Sequence, residues 1–197
     1  LTDAQREVLS SAAVLGRTFS FRDLEMLVDE SQDLERIVDW LVDTGFLSEE
    51  RESRGDRLIF TSGIVRDALY AGLARRRRRS LHREVGQRLE RRNATQIDRV
   101  LPDLVHHFAQ GDVPEKVIGY GMTLARRALG AYSPLEARRT LETVLEFIGS
   151  SSPDSPSIEA EARDLLARAL WTAGLRGPAL DEYHRAIAGF RAAADTA

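Results

Sequence analysis

Hydrophobic residues recur at helical spacing along most of the chain, and strand-like alternation is confined to one short stretch. Near the start, four apolar residues follow the three-to-four-residue period of an α-helix: Val8, Leu9, Ala12 and Ala13. Thr2 and Gln5 stand before them with the spacing of a capping box, and Gly16 follows as a terminator. The pattern therefore predicts a first helix between Thr2 and Gly16.

Two further helices and a β-hairpin are predicted before residue 63. Ser20 can cap the second helix, and Ser31 can cap the third, which we expect over residues 32–44 with Gly45 at its end. Strand-like segments follow at residues 46–49 and 57–61, joined by a polar turn at 53–56. Three helices followed by a two-stranded wing predict a winged-helix domain over residues 1–62.

The chain from Ser62 onward is helical by pattern, and its last part contains a degenerate repeat. Connecting helices are expected over residues 63–111, one of them at 97–110 and closed by Gly111. Two copies of a motif then match position for position at a separation of 42 residues: Leu124, Ala125, Ala128, Tyr132, Ala137, Leu141 and Val144, then Leu166, Ala167, Leu170, Gly174, Ala179, Tyr183 and Ala186.

This repeat predicts tetratricopeptide-like antiparallel hairpins over residues 112–197, which makes the expected fold mainly α. The excess over the usual unit of about 34 residues falls in a stretch rich in turn formers at 149–157. Two hairpins are few for a solenoid, so we expect the array to continue beyond Ala197 or to lean on the preceding helices.

Composition narrows the class of protein. Hydrophobic residues make up 43% and charged residues 30%, the net charge is −3, and there is no cysteine. Disulfides, cysteine nucleophiles and thiolate metal sites are excluded. No apolar run approaches the roughly 20 residues that span a bilayer, and no signal peptide is visible. We expect a soluble cytoplasmic protein, and the start at Leu1 rather than methionine indicates a segment excised from a longer chain.

An arginine run is the strongest local charge signal. Arg75–Arg92 holds nine arginines and two glutamates, a net charge of +7. It can be a docking strip for phosphate, RNA or an acidic partner, or a solvated helical face whose arginine stems cover apolar surface. Five of the arginines lie near the positive end of the predicted helix, where the macrodipole opposes them. We therefore expect carboxylate partners, and name four candidate partner-binding residues: Arg75, Arg76, Arg79 and Arg83.

The expected source of those carboxylates is the acidic first domain, with a missing domain second and nucleic acid third. The predicted third helix, 32–44, has a local charge of −3, and the wing, 49–57, has −1. In a winged helix these elements would meet DNA, where binding requires positive charge. Acidic charge there argues against DNA binding through the winged helix.

Motifs for catalysis or cofactor binding are absent from the sequence. It contains no GxxxxGK[ST], GxSxG, HExxH or GxGxxG. Asp103 and His107 are one helical turn apart beside His106, but two or three donors are a weak metal signal, and we expect helix-packing histidines. His82 and His184 are expected at the surface or partly buried. Four aromatic anchors are expected mostly in the core: Trp40, Trp171, Tyr132 and Tyr183. No enzyme activity and no cofactor are predicted.

Three segments carry a resemblance to a known family. They are AAVLGRTFSFRDL at residues 12–24, FTSGIVRDALY at 60–70 and RRRRRSLHREVGQRLE at 75–90. In this order they resemble the region that follows the ATPase core in bacterial signal-transduction ATPases of the STAND type, including large LuxR-type regulators and ATPases fused to cyclases or kinases. The resemblance implies a winged helix followed by tetratricopeptide-like repeats. Ser62 stands where the family usually has histidine, so no nucleotide-sensing residue is assigned.

The function implied by this resemblance is regulatory and non-catalytic. The segment would couple binding of a protein partner or ligand on the repeats to the ATPase core, with no membrane contact. Two alternatives stay open. One is a nucleic-acid-binding regulator that uses the Arg75–Arg92 helix, and the other is a stand-alone repeat scaffold.

Overall fold

The computed structural model describes residues 1–28, 33–50, 57–150 and 156–195. In these ranges the chain is mainly helical, with one small antiparallel sheet. The elements run in this order: α1 (Asp3–Leu15), β1 (Thr18–Ser20), α2 (Phe21–Glu25), α3 (Leu34–Asp43), β2 (Leu47–Glu49), β3 (Arg57–Phe60), α4 (Gly63–Gly72), α5 (Arg75–Arg92), a 3₁₀ turn (Ile97–Arg99), α6 (Leu101–Gly111), α7 (Pro114–Gly130), α8 (Pro134–Ser150), α9 (Pro156–Thr172) and α10 (Arg176–Asp195).

The chain forms two compact units, Leu1–Arg88 and Leu89–Ala197. The boundary falls inside α5. The three segments expected from the sequence, 1–62, 63–111 and 112–197, stay a prediction. No helix within the described ranges is both long and apolar enough to cross a membrane.

In the first unit, local side chains start the helices as predicted. Thr2 accepts a hydrogen bond from the Gln5 backbone N–H at 3.2 Å, and the Gln5 side chain accepts one from the Thr2 N–H at 2.8 Å. Ser20 accepts from the Asp23 N–H and starts α2. The third helix differs from the prediction, because Asp33 caps it and its first residue is Leu34. Ser31 and the predicted turn at 53–56 lie outside the described residues.

The sheet contains the two predicted strands and a third that the sequence did not reveal. β2 and β3 pair antiparallel, and β1 pairs with the other side of β3, which gives the order β1-β3-β2. With three residues, β1 is too short for a visible alternation, and Ser20 also serves as a helix cap. Phe19 of β1 faces Phe60 of β3 with ring centroids 5.9 Å apart. The core lies between these strands and α1 to α3.

The second unit departs from the sequence pattern at its start. A helix was expected over residues 97–110, but Ile97–Arg99 forms a 3₁₀ turn and α6 begins at Leu101. Pro102 accounts for the difference. Its ring disfavours a helix that continues through it but is tolerated in the first turn, where no N–H donor is needed.

The helices of the second unit are joined by a recurring turn. At Tyr132, the N–H bonds to the Leu129 carbonyl at 3.1 Å, and at the equivalent Gly174 the N–H bonds to the Trp171 carbonyl at 3.0 Å. The next residue bonds back five positions in both turns, and Asp112 repeats the pattern between α6 and α7. This is the Schellman arrangement, which requires a left-handed residue at its centre. The φ angles are 58° at Asp112, 57° at Tyr132 and 82° at Gly174.

The two hairpins α7–α8 and α9–α10 pack differently at one equivalent position. In the first, Gly121 lies so close to α8 that a Cβ there would be 2.4 Å from Val144 Cγ2. In the second, position 121 becomes Arg163 and position 144 becomes Ala186, 42 residues later. The larger side chain of the two positions is on the second helix in the first hairpin (Val144) and on the first helix in the second hairpin (Arg163). Arg163 bonds Glu182 of α10, and its Nη1 lies 2.9 Å from Glu182 Oε2.

Candidate functional site

The four predicted partner-binding arginines lie together on α5. With Ser80 they line one shallow surface depression of about 590 Å³: Arg75, Arg76, Arg79 and Arg83. Their spacing places them on one side of the helix, while Leu81 and Val85 are buried on another. We call the four arginines and Ser80 the basic face. An anion in this depression would meet guanidinium groups near the positive end of the helix dipole.

Neighbouring arginines of the run make contacts inside the first unit. Arg77 Nη2 lies 3.2 Å from Glu7 Oε1 of α1, in an ion pair whose two side chains are about half exposed. Glu7 belongs to the first domain, the expected source of carboxylates, but it lies on α1 and not on the third helix or the wing, where we expected the partners. Arg78 lies over the ring of Tyr70, with its guanidinium carbon 5.1 Å from the ring centroid. The exposed ion pair between Arg77 and Glu7 contributes at most about 1 kcal/mol to the free energy of unfolding.

Side chains of the segment FTSGIVRDALY, which contains most of α4, fix this helix against α1 and α5. Ser62, which stands where the resembled family has histidine, accepts a hydrogen bond from the Val65 N–H and caps α4. Arg66 Nε donates to the Ala13 carbonyl of α1 at 3.1 Å. Tyr70 Oη lies 2.8 Å from His82 Nε2 of α5. His82 is fully buried, whereas a surface or partly buried position was predicted, and its ring meets the Tyr70 ring edge to face.

The exposed side of α3 is acidic. Asp33, Glu35, Asp39 and Asp43 are all exposed, together with Arg36. The charged side chains that were counted on this helix from the sequence are therefore exposed to solvent. Such a surface repels the phosphate backbone of DNA.

A second candidate site lies in the repeat, between the first helices of the two hairpins. A groove of about 540 Å³ runs between α7 and α9, and we call it the inter-hairpin groove. Its lining combines leucine with charged side chains: Arg126, Leu129, Gly130, Glu161, Asp164, Leu165, Arg168 and Thr172. Arg126 pairs with Glu161 at 2.6 Å, and Arg168 pairs with Asp164 at 2.6 Å.

This groove was not predicted from the sequence, although the repeat contains a signal for it. Arg126 and Arg168 are 42 residues apart, so they are equivalent positions of the two hairpins. Their pairs are about half exposed, except that the Asp164 side chain is more buried. Exposed pairs exchange partners at little cost, so the carboxylates of a docked chain can replace Glu161 or Asp164.

Several aromatic residues expected in the core are exposed instead. Tyr132 is 86% exposed because the α7–α8 turn holds it outward in the left-handed conformation, and Trp171 is 49% exposed near the α9–α10 turn. Trp40 lies at the surface of α3, where its ring stacks on Phe46 at 6.3 Å. Arg176 covers one side of Trp171, with its guanidinium carbon 5.5 Å from the ring centroid.

One partly buried polar cluster links α5 to α7 within the second unit. Glu90 accepts hydrogen bonds from Lys116 Nζ and Tyr120 Oη. Burial alone would raise the pKa of Glu90, but these two hydrogen bonds outweigh it, so the pKa of Glu90 lies below its ordinary value. Burial and the adjacent Glu90 carboxylate raise the pKa of Tyr120 to about 12. The cluster holds α5 and α7 together and shifts the pKa values of Glu90 and Tyr120.

The predicted histidines do not assemble a metal site in the part of the chain that is described. His107 is buried, and its ring meets that of His106 edge-on at a centroid distance of 5.1 Å. Among the described residues, no group of three or more histidine, aspartate and glutamate side chains is placed to hold a metal ion.

Comparison with known proteins gives one relative and no family. An uncharacterized protein of Rhizobium meliloti (strain 1021) is 27% identical over 166 residues, which cover 82% of this chain and 16% of that relative. The chain thus spans about one sixth of the relative's length. No protein-family model matches the chain, and no solved structure matches it.

Proposed function

We propose that this chain is a non-catalytic regulatory segment of a larger signal-transduction ATPase of the STAND type. In this proposal the first unit contains a winged helix that packs against the ATPase core, and the second contains tetratricopeptide-like hairpins that bind a protein partner. Partner binding biases the core between two arrangements, because the partner makes different contacts in each. The proposal places the segment in the cytoplasm.

The observation that carries the proposal is the repeated hairpin. The turns at Tyr132 and Gly174 share the same backbone hydrogen bonds 42 residues apart, as helical-repeat scaffolds do. The inter-hairpin groove lies between equivalent helices and carries equivalent arginines. The winged-helix part is supported by three helices that precede the β2–β3 hairpin.

One further feature favours a regulatory segment over a DNA-binding domain: the exposed face of α3 is acidic, and acidic charge repels the phosphate backbone of DNA. The sequence relative is several times longer than the aligned region, which is compatible with a segment that works inside a large protein.

The test uses ATP hydrolysis by the complete gene product with its groove altered. The double charge reversal Arg126→Glu and Arg168→Glu should change the hydrolysis rate, or its response to a partner, severalfold. Arg139→Glu and Arg191→Glu are matched controls, because both arginines are exposed outside the groove. Equal rates and responses in the two double variants would reject partner coupling through the groove.

Nucleic-acid binding is a second candidate function, favoured by the basic face. Arg75, Arg76, Arg79 and Arg83 line one depression, and phosphate contacts of this kind give affinity that falls steeply with salt. Arg76→Glu should then weaken binding to single-stranded RNA about tenfold or more, and Arg139→Glu should not. Binding that is undetectable, or indifferent to salt and to Arg76→Glu, would remove this candidate.

A further inference from the structure

The last helix, α10, has two adjoining apolar faces. One packs against α9 and contains Ala179 and Ala186, which are buried. The other contains three large side chains that are 43–49% exposed: Leu180, Ile187 and Phe190. Their spacing of seven and three residues places them on one side of the helix. We call these three residues the outer stripe.

The repeat shows what covers the corresponding face one hairpin earlier. Ile187 and Phe190 correspond to Leu145 and Ile148 of α8, 42 residues before them. Both of those side chains pack against a buried cluster formed by residues of α7 to α10, and Ala162, Leu165, Leu166 and Leu170 are its members on α9. α8 itself packs against α9, the first helix of the next hairpin. The correspondence covers two of the three residues of the outer stripe, because Leu180 corresponds to Arg138.

We infer that the outer stripe is the docking site for the first helix of a further hairpin in the same polypeptide. The inference continues the α8–α9 interface by one repeat, and it rests on the helical-repeat part of the proposed function. The docking helix needs the chemistry of α9 at the α8 interface. It presents alanine and leucine with the spacing of Ala162, Leu165, Leu166 and Ala169, so that two helices approach closely over the large side chains of α10.

Site-specific photo-crosslinking in the complete gene product tests this inference. Phe190 is replaced by benzoylphenylalanine, and Ala188 is replaced by the same residue in a second preparation. Ala188 is exposed on another side of α10 and serves as the matched control. Illumination is followed by identification of the cross-linked peptides.

The expected result is a cross-link from position 190 to a helical segment that follows Ala197 in the same polypeptide, and none of comparable yield from position 188. A cross-link from position 190 to a second molecule, an absence of cross-links, or equal yields at both positions would overturn the inference. The groove variants test partner coupling on α7 and α9, so the two proposals can fail independently.

Discussion

Tyr132 and Gly174 hold the same place in two hairpins, and both adopt positive φ angles, 57° and 82°. Glycine takes this conformation freely, whereas a β-carbon costs about 1–2 kcal/mol. Tyr132 gains little in return from packing, because its side chain is almost fully exposed. The first turn therefore carries strain that the second does not.

Replacement of Tyr132 by glycine should raise the free energy of unfolding by roughly 0.5–1 kcal/mol, because it removes this strain. The reciprocal Gly174→Ala should lower it by about 1 kcal/mol. Urea unfolding of the three proteins measures both effects. Destabilisation by Tyr132→Gly would mean that the tyrosine side chain has a stabilising contact that outweighs the strain.

The contact between Gly121 and Val144 gives a second prediction. Gly121→Ala would improve helix propensity by about 1 kcal/mol, but it places a Cβ 2.4 Å from Val144 Cγ2. Overpacking costs about 1–3 kcal/mol, so we expect net destabilisation.

Val144→Ala supplies the control for that prediction, because it removes the clashing methyl group. In a double-mutant cycle, Gly121→Ala should be less harmful, or favourable, in the Val144→Ala background. Additive effects would show that the two positions do not interact. In the second hairpin, Ala186 stands at the position equivalent to Val144 and Arg163 at the position equivalent to Gly121.

The ion pair between Arg163 and Glu182 should be more important than other pairs of the repeat. Both side chains are mostly buried, and the hydrogen bonds from Arg163 to Glu159 and Glu182 raise the pKa of Arg163 although burial opposes this. Arg163→Ala should cost about 1–3 kcal/mol of unfolding free energy. Arg168→Ala, which removes a more exposed pair, should cost less than about 1 kcal/mol. Equal losses in the two variants would contradict this account.

Much of this architecture could be predicted from the sequence where local chemistry decides it. The capping box at Thr2, the two strands of the β2–β3 hairpin and the helical character of the repeat follow from short-range patterns. β1 was missed because it is formed by pairing with β3, a partner about 40 residues away in sequence. The predicted start of the helix at residue 97 was wrong because Pro102 disfavours a helix that continues through it.

One of the two candidate sites could be predicted from the sequence, and the other could not. The basic face is visible as a run of arginines, since neighbours on one helix stay neighbours in space. The inter-hairpin groove depends on which helices of the repeat pack side by side, and that packing is not encoded in local spacing. The exposure of Tyr132 likewise follows from a turn conformation that its residue type does not favour.

The hydrogen bonds of Glu90 should make stability depend on pH on the acidic side. The folded-state pKa of Glu90 lies below its ordinary value of 4.5, so the unfolded chain takes up the proton first as the pH falls. The contribution of Glu90 is present above pH 4.5 and is lost as the pH falls through its folded-state pKa. Glu90→Gln should flatten this acidic slope in urea unfolding measured across pH, and an unchanged slope would contradict the assignment.

Tyr120 should produce the opposite dependence on the alkaline side. Its pKa is raised from 10.0 to about 12, so its contribution is present below pH 10 and is lost as the pH rises toward 12. A tyrosinate absorbance titration should show a late step that Tyr120→Phe abolishes. Tyr132→Phe is the control and should leave the late step in place.

The central claim is that this chain belongs to a larger ATPase, and the coding sequence upstream of the Leu1 codon tests it most directly. Determination of one or two domain lengths, roughly 100–200 residues each, is sufficient. The account predicts a strand-like run followed by GxxxxGK[ST], the phosphate-binding loop of an ATPase core. A start codon immediately before Leu1, with no such motif in the polypeptide, would contradict it and would leave a stand-alone repeat scaffold.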